Sequence, residues 1–240
     1  MKGINKFNKL TSIATRMIYP WVCCVCGSHN KGQSGICDLC ISHLPWCRHE
    51  CLCVACGLPI AANKSSAKIC GECQKIPPYY DHIDANFWYQ APIDKLISGY
   101  KYFNQWENAH TLIELSLMSF AQVSKTGLVL PVPSHPARVR QRGLNAVYEL
   151  IRLLHKQVKF NYDLTSVSRT QYTQTQAGKT KSQRRKNVKA AFTIERPINN
   201  DYVIIFDEVV TTAATVNELS RCLKKSGVKR VTVWAIARTK

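Results

Sequence analysis

The adjacent carboxylates Asp207 and Glu208, with Thr211, Thr212 and Thr215 shortly after them, are the residues of this chain best suited by type and spacing to chemistry. Paired acids suit the hydroxyls of a diol or a Mg²⁺ ion. The threonines come just before Val216, Leu219 and Leu223, whose spacing of three and four marks one face of a helix, so they occupy that helix's N-terminus. Free backbone N–H groups and the positive end of the helix dipole make such a place an anion site, and hydroxyls add donors for phosphate oxygens. Acids for a ribose beside a cradle for its phosphate imply a ribose 5-phosphate site built from Asp207, Glu208, Thr211, Thr212, Ala213, Ala214 and Thr215.

Cysteines supply a second constellation. Eleven of the twelve precede position 74, and Lys6, Lys9 and Arg16 interrupt every candidate apolar core of a signal peptide. That combination argues for thiolate or metal chemistry rather than disulfides. Cys23-x-x-Cys26 is followed after ten residues by Cys37-x-x-Cys40, and Cys53-x-x-Cys56 after thirteen by Cys70-x-x-Cys73. Each pair places two thiolates on one tetrahedral ion, and two pairs close a structural Zn²⁺ site. The eight cysteines therefore predict two zinc ribbons whose metal supplies their folding energy. Sequential and cross-braced pairing both fit the spacing. Cys24, Cys47, Cys51 and Cys222 are left over and are expected to pack as small hydrophobes. A third group, Arg138, Arg140 and Arg142, takes every second position before Gly143. Such arginines can direct guanidinium groups toward one anion, a pyrophosphate or a nucleic-acid backbone.

The elements that must position these groups follow from the apolar pattern. Val203 to Phe206 is short, apolar and unbroken, which predicts a strand buried on both faces of a parallel sheet and puts the two acids at the carboxyl edge where ligands bind. Asp84 to Tyr89, Leu128 to Pro133 and Arg230 to Ile236 read as further strands; Ile93 to Tyr100 and Ala109 to Phe120 read as helices, and Gly227 as a helix C-cap. Most aromatic rings between Tyr79 and Trp106 are expected in the core or a subunit contact. Residues 169–190 hold seven Lys or Arg and no acid, so they should be mobile. The chain divides into a basic helix or tail at 1–22, a cysteine-rich double zinc ribbon at 23–76 and, after Pro77 and Pro78, an α/β domain at 77–240. No apolar run is long enough for a membrane span. The chain reads as cytoplasmic, with the basic N-terminal segment as the feature suited to the inner face of a membrane. Thirty-three Lys and Arg against fifteen Asp and Glu give a formal charge of +18, more than one sugar phosphate requires, and make nucleic acid an expected partner.

Tyr202 to Thr215 resembles the phosphoribosyl pyrophosphate (PRPP) signature of type I phosphoribosyltransferases: apolar residues, two acids, two apolar residues, then Thr-Thr-Gly-x-Thr. Glu208 stands where Asp is commoner, and Ala213 replaces the glycine that lets the backbone wrap a phosphate without a Cβ. Together with the cysteine module, Arg140-Gln-Arg142-Gly143-Leu144-Asn145 and Arg184-Arg-Lys-Asn187-Val-Lys-Ala-Ala191-Phe192 make the stretch from Trp21 to Lys240 resemble the ComF family of competence proteins. Leu144 and Ala146 depart from that family's usual Phe and Gln. The resemblance implies a type I phosphoribosyltransferase-like parallel sheet flanked by helices, with PRPP and Mg²⁺ as ligands. The resemblance of the position of residues 169–190 to that of the flexible loop of type I phosphoribosyltransferases implies that Arg184 and Asn187 meet a bound diphosphate. It also implies single-stranded DNA and proteins of the competence machinery as partners, and a role in natural transformation. No segment reads as a hood for an acceptor base, so no catalytic residue is assigned and binding of PRPP is expected ahead of turnover. A salvage-type phosphoribosyltransferase and a zinc-ribbon adaptor with a vestigial pocket are the alternatives.

Overall fold

The computed structural model describes residues 21–30, 34–47, 52–60, 68–123, 126–171 and 188–240. The N-terminal segment, Cys51, and the stretch holding Arg184 and Asn187 lie outside the described residues. Strands β1 (Trp21–Val22) and β2 (His29–Asn30) pair antiparallel, and helices α1 (Asp38–Ser42) and α2 (Gly71–Lys75) follow in the cysteine-rich part. Next come β3 (His82–Trp88), α3 (Ile93–Phe103), α4 (Trp106–Val123), β4 (Leu128–Pro131), α5 (Pro136–Arg142) and α6 (Ala146–Gln157). The chain ends with β5 (Val167–Arg169), β6 (Phe192–Ile194), β7 (Tyr202–Val210), α7 (Ala214–Lys225) and β8 (Arg230–Arg238).

Strands β3, β8, β7 and β4 lie side by side in that order, and every pairing among them is parallel. Strands β5 and β6 form a separate antiparallel pair. Successive residues of a strand face opposite ways, and here both faces are covered. Ile204, Phe206, Trp234 and Ile236 join Tyr100, Leu112, Phe120 and Ile151 in one core. Val203, Ile205, Val231 and Val233 join Val216, Leu219 and Leu223 of α7 in the other. Burial on both sides is why these strands read as unbroken apolar runs. Of the aromatics before position 107, Tyr80, Phe87, Trp88 and Tyr100 are buried, while Tyr79, Tyr102, Phe103 and Trp106 are exposed.

The cysteine-rich part docks on the β3 edge. The Trp88 N–H donates to the Pro45 carbonyl at 2.7 Å, the Cys47 N–H to the Asn86 carbonyl at 2.8 Å, and the Ile83 N–H to the Ala55 carbonyl at 3.0 Å. The Trp46 ring lies 4.5 Å from that of Phe87, and Cys23, Ile36 and Leu44 share a core with Leu112 and Ile113.

One feature of the sheet sets up the site. Strand β7 continues past Phe206 to Val210, paired with β8 as far as Arg238, whereas its pairing with β4 stops at Phe206. From Asp207 onward β7 therefore has a neighbouring strand on one side only, and the acids sit inside the strand, at a step in the sheet edge.

Candidate functional site

Glu208 is buried and ion-paired with Lys101 of α3, which is itself nearly enclosed. Burial alone raises a carboxyl pKa, but the Lys101 ammonium outweighs it and holds Glu208 down at about 2. Asp207 goes the other way: burial first, then the charge of Glu208, pushes it well above the carboxylate range. Its Oδ1 accepts the Glu208 N–H at 2.9 Å, and Glu208 Oε2 is buried without a partner. Lys101 is thus the cation that faces the pair. A divalent cation held by a protein draws on free oxygen ligands, carboxylates foremost among them. Here Lys101 already occupies Glu208, so the pair does not fit the Mg²⁺ expected from the sequence without displacing a buried lysine.

The turn between β7 and α7 follows a glycine-like path. Ala213 has φ 58° and ψ 7°, the left-handed conformation that glycine takes without cost, so alanine here keeps a glycine's backbone path. Helix α7 starts at the next residue with no acidic side chain in its first turn, which leaves its orphan N–H groups and positive dipole end to a ligand. Thr211, Thr212 and Thr215 are partly exposed around it. Two partly buried contacts fix the loop's surroundings. Arg238 Nη1 donates to the Thr211 carbonyl at 3.1 Å. Glu218 of α7 accepts the Ala190 N–H at 2.8 Å and pairs with Arg221 at 2.6 Å, holding the turn before β6 against the helix.

The arginine triplet does not converge. Residues 136–142 form helix α5, with Pro136 at its first position, His135 accepting the Ala137 N–H at 3.1 Å, and Gly143 closing it at φ 77°. Residues two apart on a helix point roughly 200° apart, so Arg140 faces away from Arg138 and Arg142. The Arg142 guanidinium stacks 5.0 Å from the Tyr102 ring. Arg138 lies near Arg169, whose pKa is lowered first by burial and then by the Arg138 charge, with Asp207 opposing both. Lys101, Arg169 and Arg238 are therefore the site residues that the sequence reading passed over. Lys101 alone left a signal, since it follows Ile93 and Ile97 at spacing four on the apolar stripe of α3.

Both thiolate clusters form by sequential pairing. The sulfurs of Cys23, Cys26, Cys37 and Cys40 lie within 4.8 Å of one another, as do those of Cys53, Cys56, Cys70 and Cys73. Gly27 and Gly57 take φ values of 73° and 67° in the two knuckles. The Cys37 N–H donates to Cys23 Sγ at 3.5 Å and the Cys70 N–H to Cys53 Sγ at 3.2 Å. Burial raises Cys23 and Cys53, but backbone donors outweigh it and bring them to about 6 and about 7, so thiolates are present at neutral pH. Four converging sulfurs with oriented N–H groups fit a closed Zn²⁺ site in each ribbon. Among the spare thiols, Cys47 and Cys222 are partly buried, whereas Cys24 is exposed rather than packed away, its Sγ 3.9 Å from Thr111 Oγ1.

Residues 14–74 match the double zinc ribbon domain family. DNA utilization protein YhgH of Escherichia coli strain K12 is 32% identical over 214 residues, covering 87% of this chain and 92% of that one. Competence protein F of Haemophilus influenzae is 30% identical over 224 residues, 88% of this chain and 94% of that one. The chain belongs to the ComF family. The ComF-family resemblance read from Trp21 to Lys240 thus holds over most of the chain. Among solved structures, a purine phosphoribosyltransferase from Pyrococcus horikoshii aligns with a TM-score of 0.33 and 14% identity over 56% of this chain and 85% of that chain, a likeness too remote to argue from. Among the described residues no helix is long and apolar enough to cross a membrane.

Proposed function

We propose that this ComF-family chain is a competence-type protein that handles incoming single-stranded DNA in the cytoplasm and binds PRPP, or a related ribose 5-phosphate, at the carboxyl edge of its sheet. The observation that carries the ligand reading is the loop from Thr211 to Ala213. It holds a glycine-like turn with alanine and opens an uncapped helix N-terminus beside two acids. In this reading Thr211, Thr212 and Thr215 hold the 5-phosphate, Asp207 accepts a ribose hydroxyl, and Arg169 and Arg138 draw the diphosphate end. The DNA reading is supported by the names of the relatives and by the formal charge of +18. Among the described residues, eleven unbonded cysteines, eight of them in metal-type clusters, agree with a reducing compartment.

Two measurements test the proposal. PRPP titrated into the zinc-loaded protein should raise its melting temperature, by mass action on the folded state, and Asp207→Asn should remove the rise. Pyrophosphate release measured in the same samples distinguishes binding from turnover; no shift at saturating PRPP refutes the ligand reading. Single-stranded DNA should bind with a steep salt dependence, log K falling by about 0.7 per phosphate neutralised for each tenfold rise in salt. Affinity that ignores salt refutes the electrostatic reading.

A further inference from the structure

A cleft of about 700 Å³ opens between the second thiolate cluster and the phosphate loop. One wall is apolar, made by Leu58, Ile76, Pro77, Pro78 and Tyr80; the opposite wall is Thr211, Thr212, the start of α7 and Arg238. Asp207 and Glu208 are not part of its lining. The loop therefore has two sides, one toward the acids and one toward the ribbon.

Arg238 is the group that makes this second side unusual. It is 2% exposed and its Nε is buried without an acceptor. Its Nη1 is used on the Thr211 carbonyl, and no carboxylate forms an ion pair with it among the described residues. A buried guanidinium without a counter-ion is costly, and this one lines the same cleft as an uncapped helix N-terminus. Of the two acids that line the cleft, Glu218 is already engaged by Arg221 and the Ala190 N–H and Glu72 belongs to the ribbon side, while Lys189 and Lys240 add positive charge to the lining. A filled tetrathiolate site adds negative charge at the far wall, which directs an anion to the loop end. The opposite apolar wall, with Tyr80 and two prolines, suits the flat face of a base.

We propose that this cleft binds a nucleoside 5′-phosphate, either free or as the phosphorylated 5′ end of a DNA strand. The phosphate sits against Arg238 and the α7 N-terminus, and the base against Tyr80, Pro77 and Pro78. The cleft falls in the size range of small-molecule sites. The ligand approaches the phosphate loop from the ribbon side and does not use the acid pair.

The test uses full-length, zinc-loaded protein and a short labelled oligonucleotide carrying either a 5′-phosphate or a 5′-hydroxyl. The phosphorylated strand should bind about tenfold tighter, the gain of one well-made charge-assisted contact. Competition by dAMP identifies a free mononucleotide as the ligand, and persistence of the preference against millimolar dAMP identifies the strand end. Arg238→Gln should abolish the preference. Ile76→Glu, at a position 61% exposed and so neutral for folding, should weaken the phosphorylated strand several-fold while leaving the PRPP-induced melting shift intact. Asp207→Asn should do the reverse. Equal binding of the two strands, or a preference unchanged by Ile76→Glu, overturns the inference. A 5′-phosphate preference without any PRPP shift would sink the ribose-site reading and leave this one standing.

Discussion

Replacing Lys101 with methionine keeps an unbranched side chain one atom shorter and removes the charge that Glu208 depends on. Glu208 is held down from an ordinary 4.5 to about 2, and at about 1.36 kcal/mol per unit this corresponds to on the order of 3 kcal/mol. Breaking a buried ion pair by deleting one partner costs roughly the same, about 3–5 kcal/mol. Asp207 shifts the opposite way, so the quantity to measure is the coupling between Lys101 and Glu208 rather than either deletion alone. Lys101→Met, Glu208→Gln and the double variant should be unfolded by denaturant at pH 7. Lys101→Met should lose about 3 kcal/mol and melt roughly 6–12 °C lower, and the double variant should recover much of that loss. The pH dependence has a definite sign. In the wild type the depressed Glu208 contributes stability in full above about 4.5 and loses it as pH falls toward 2. In Lys101→Met burial raises the same carboxyl, so the deficit should widen as pH rises through its new pKa. Additive single losses, with coupling below about 0.5 kcal/mol, would falsify the argument that Lys101 is the counter-charge of this site.

Three further outcomes are expected. The purified protein should carry two Zn²⁺ per chain by metal analysis, and Cys73→Ser should retain one, because each closed set loses its ion with one thiolate; retention of both ions would overturn the ligand assignment. Ala213→Gly should stabilise the fold by up to about 1 kcal/mol, since the left-handed conformation costs alanine about 1–2 kcal/mol and glycine's extra unfolded freedom returns about 0.4–1 kcal/mol. A destabilised variant in chemical denaturation would show that the conformation is not strained. Glu218→Gln should cost about 1–3 kcal/mol by weakening the buried acceptor of Ala190 and Arg221, and hydrogen exchange at Ala190 should accelerate; unchanged exchange would contradict it.

The parts legible in the sequence share a cause: their chemistry is local in the chain. Val203 to Phe206 shows a strand buried on both faces within four residues, and the thiolate sets need only the spacing of paired cysteines. The arginine triplet misled for a physical reason, because every-second-residue spacing gathers side chains in an extended segment and splays them on helix α5. Lys101, Arg169 and Arg238 act across elements brought together only by folding. Arg238 in particular follows a run of apolar residues that marks β8 as buried and says nothing of the loop its side chain reaches.

The docking of Pro45 to Cys47 along β3 has a consequence for the fate of the chain in a metal-poor cell. Strand β3 is the outer strand of the parallel sheet, and its outward backbone groups at Asn86 and Trp88 are satisfied by the cysteine-rich part. Loss of zinc would unfold that cover and bare the outer edge of β3. An uncovered strand rich in apolar residues is a template for pairing with another chain, so the folded half of a zinc-starved protein would be recruited into insoluble assemblies. In that event the ribbons would act as a solubility device whose setting is the supply of metal.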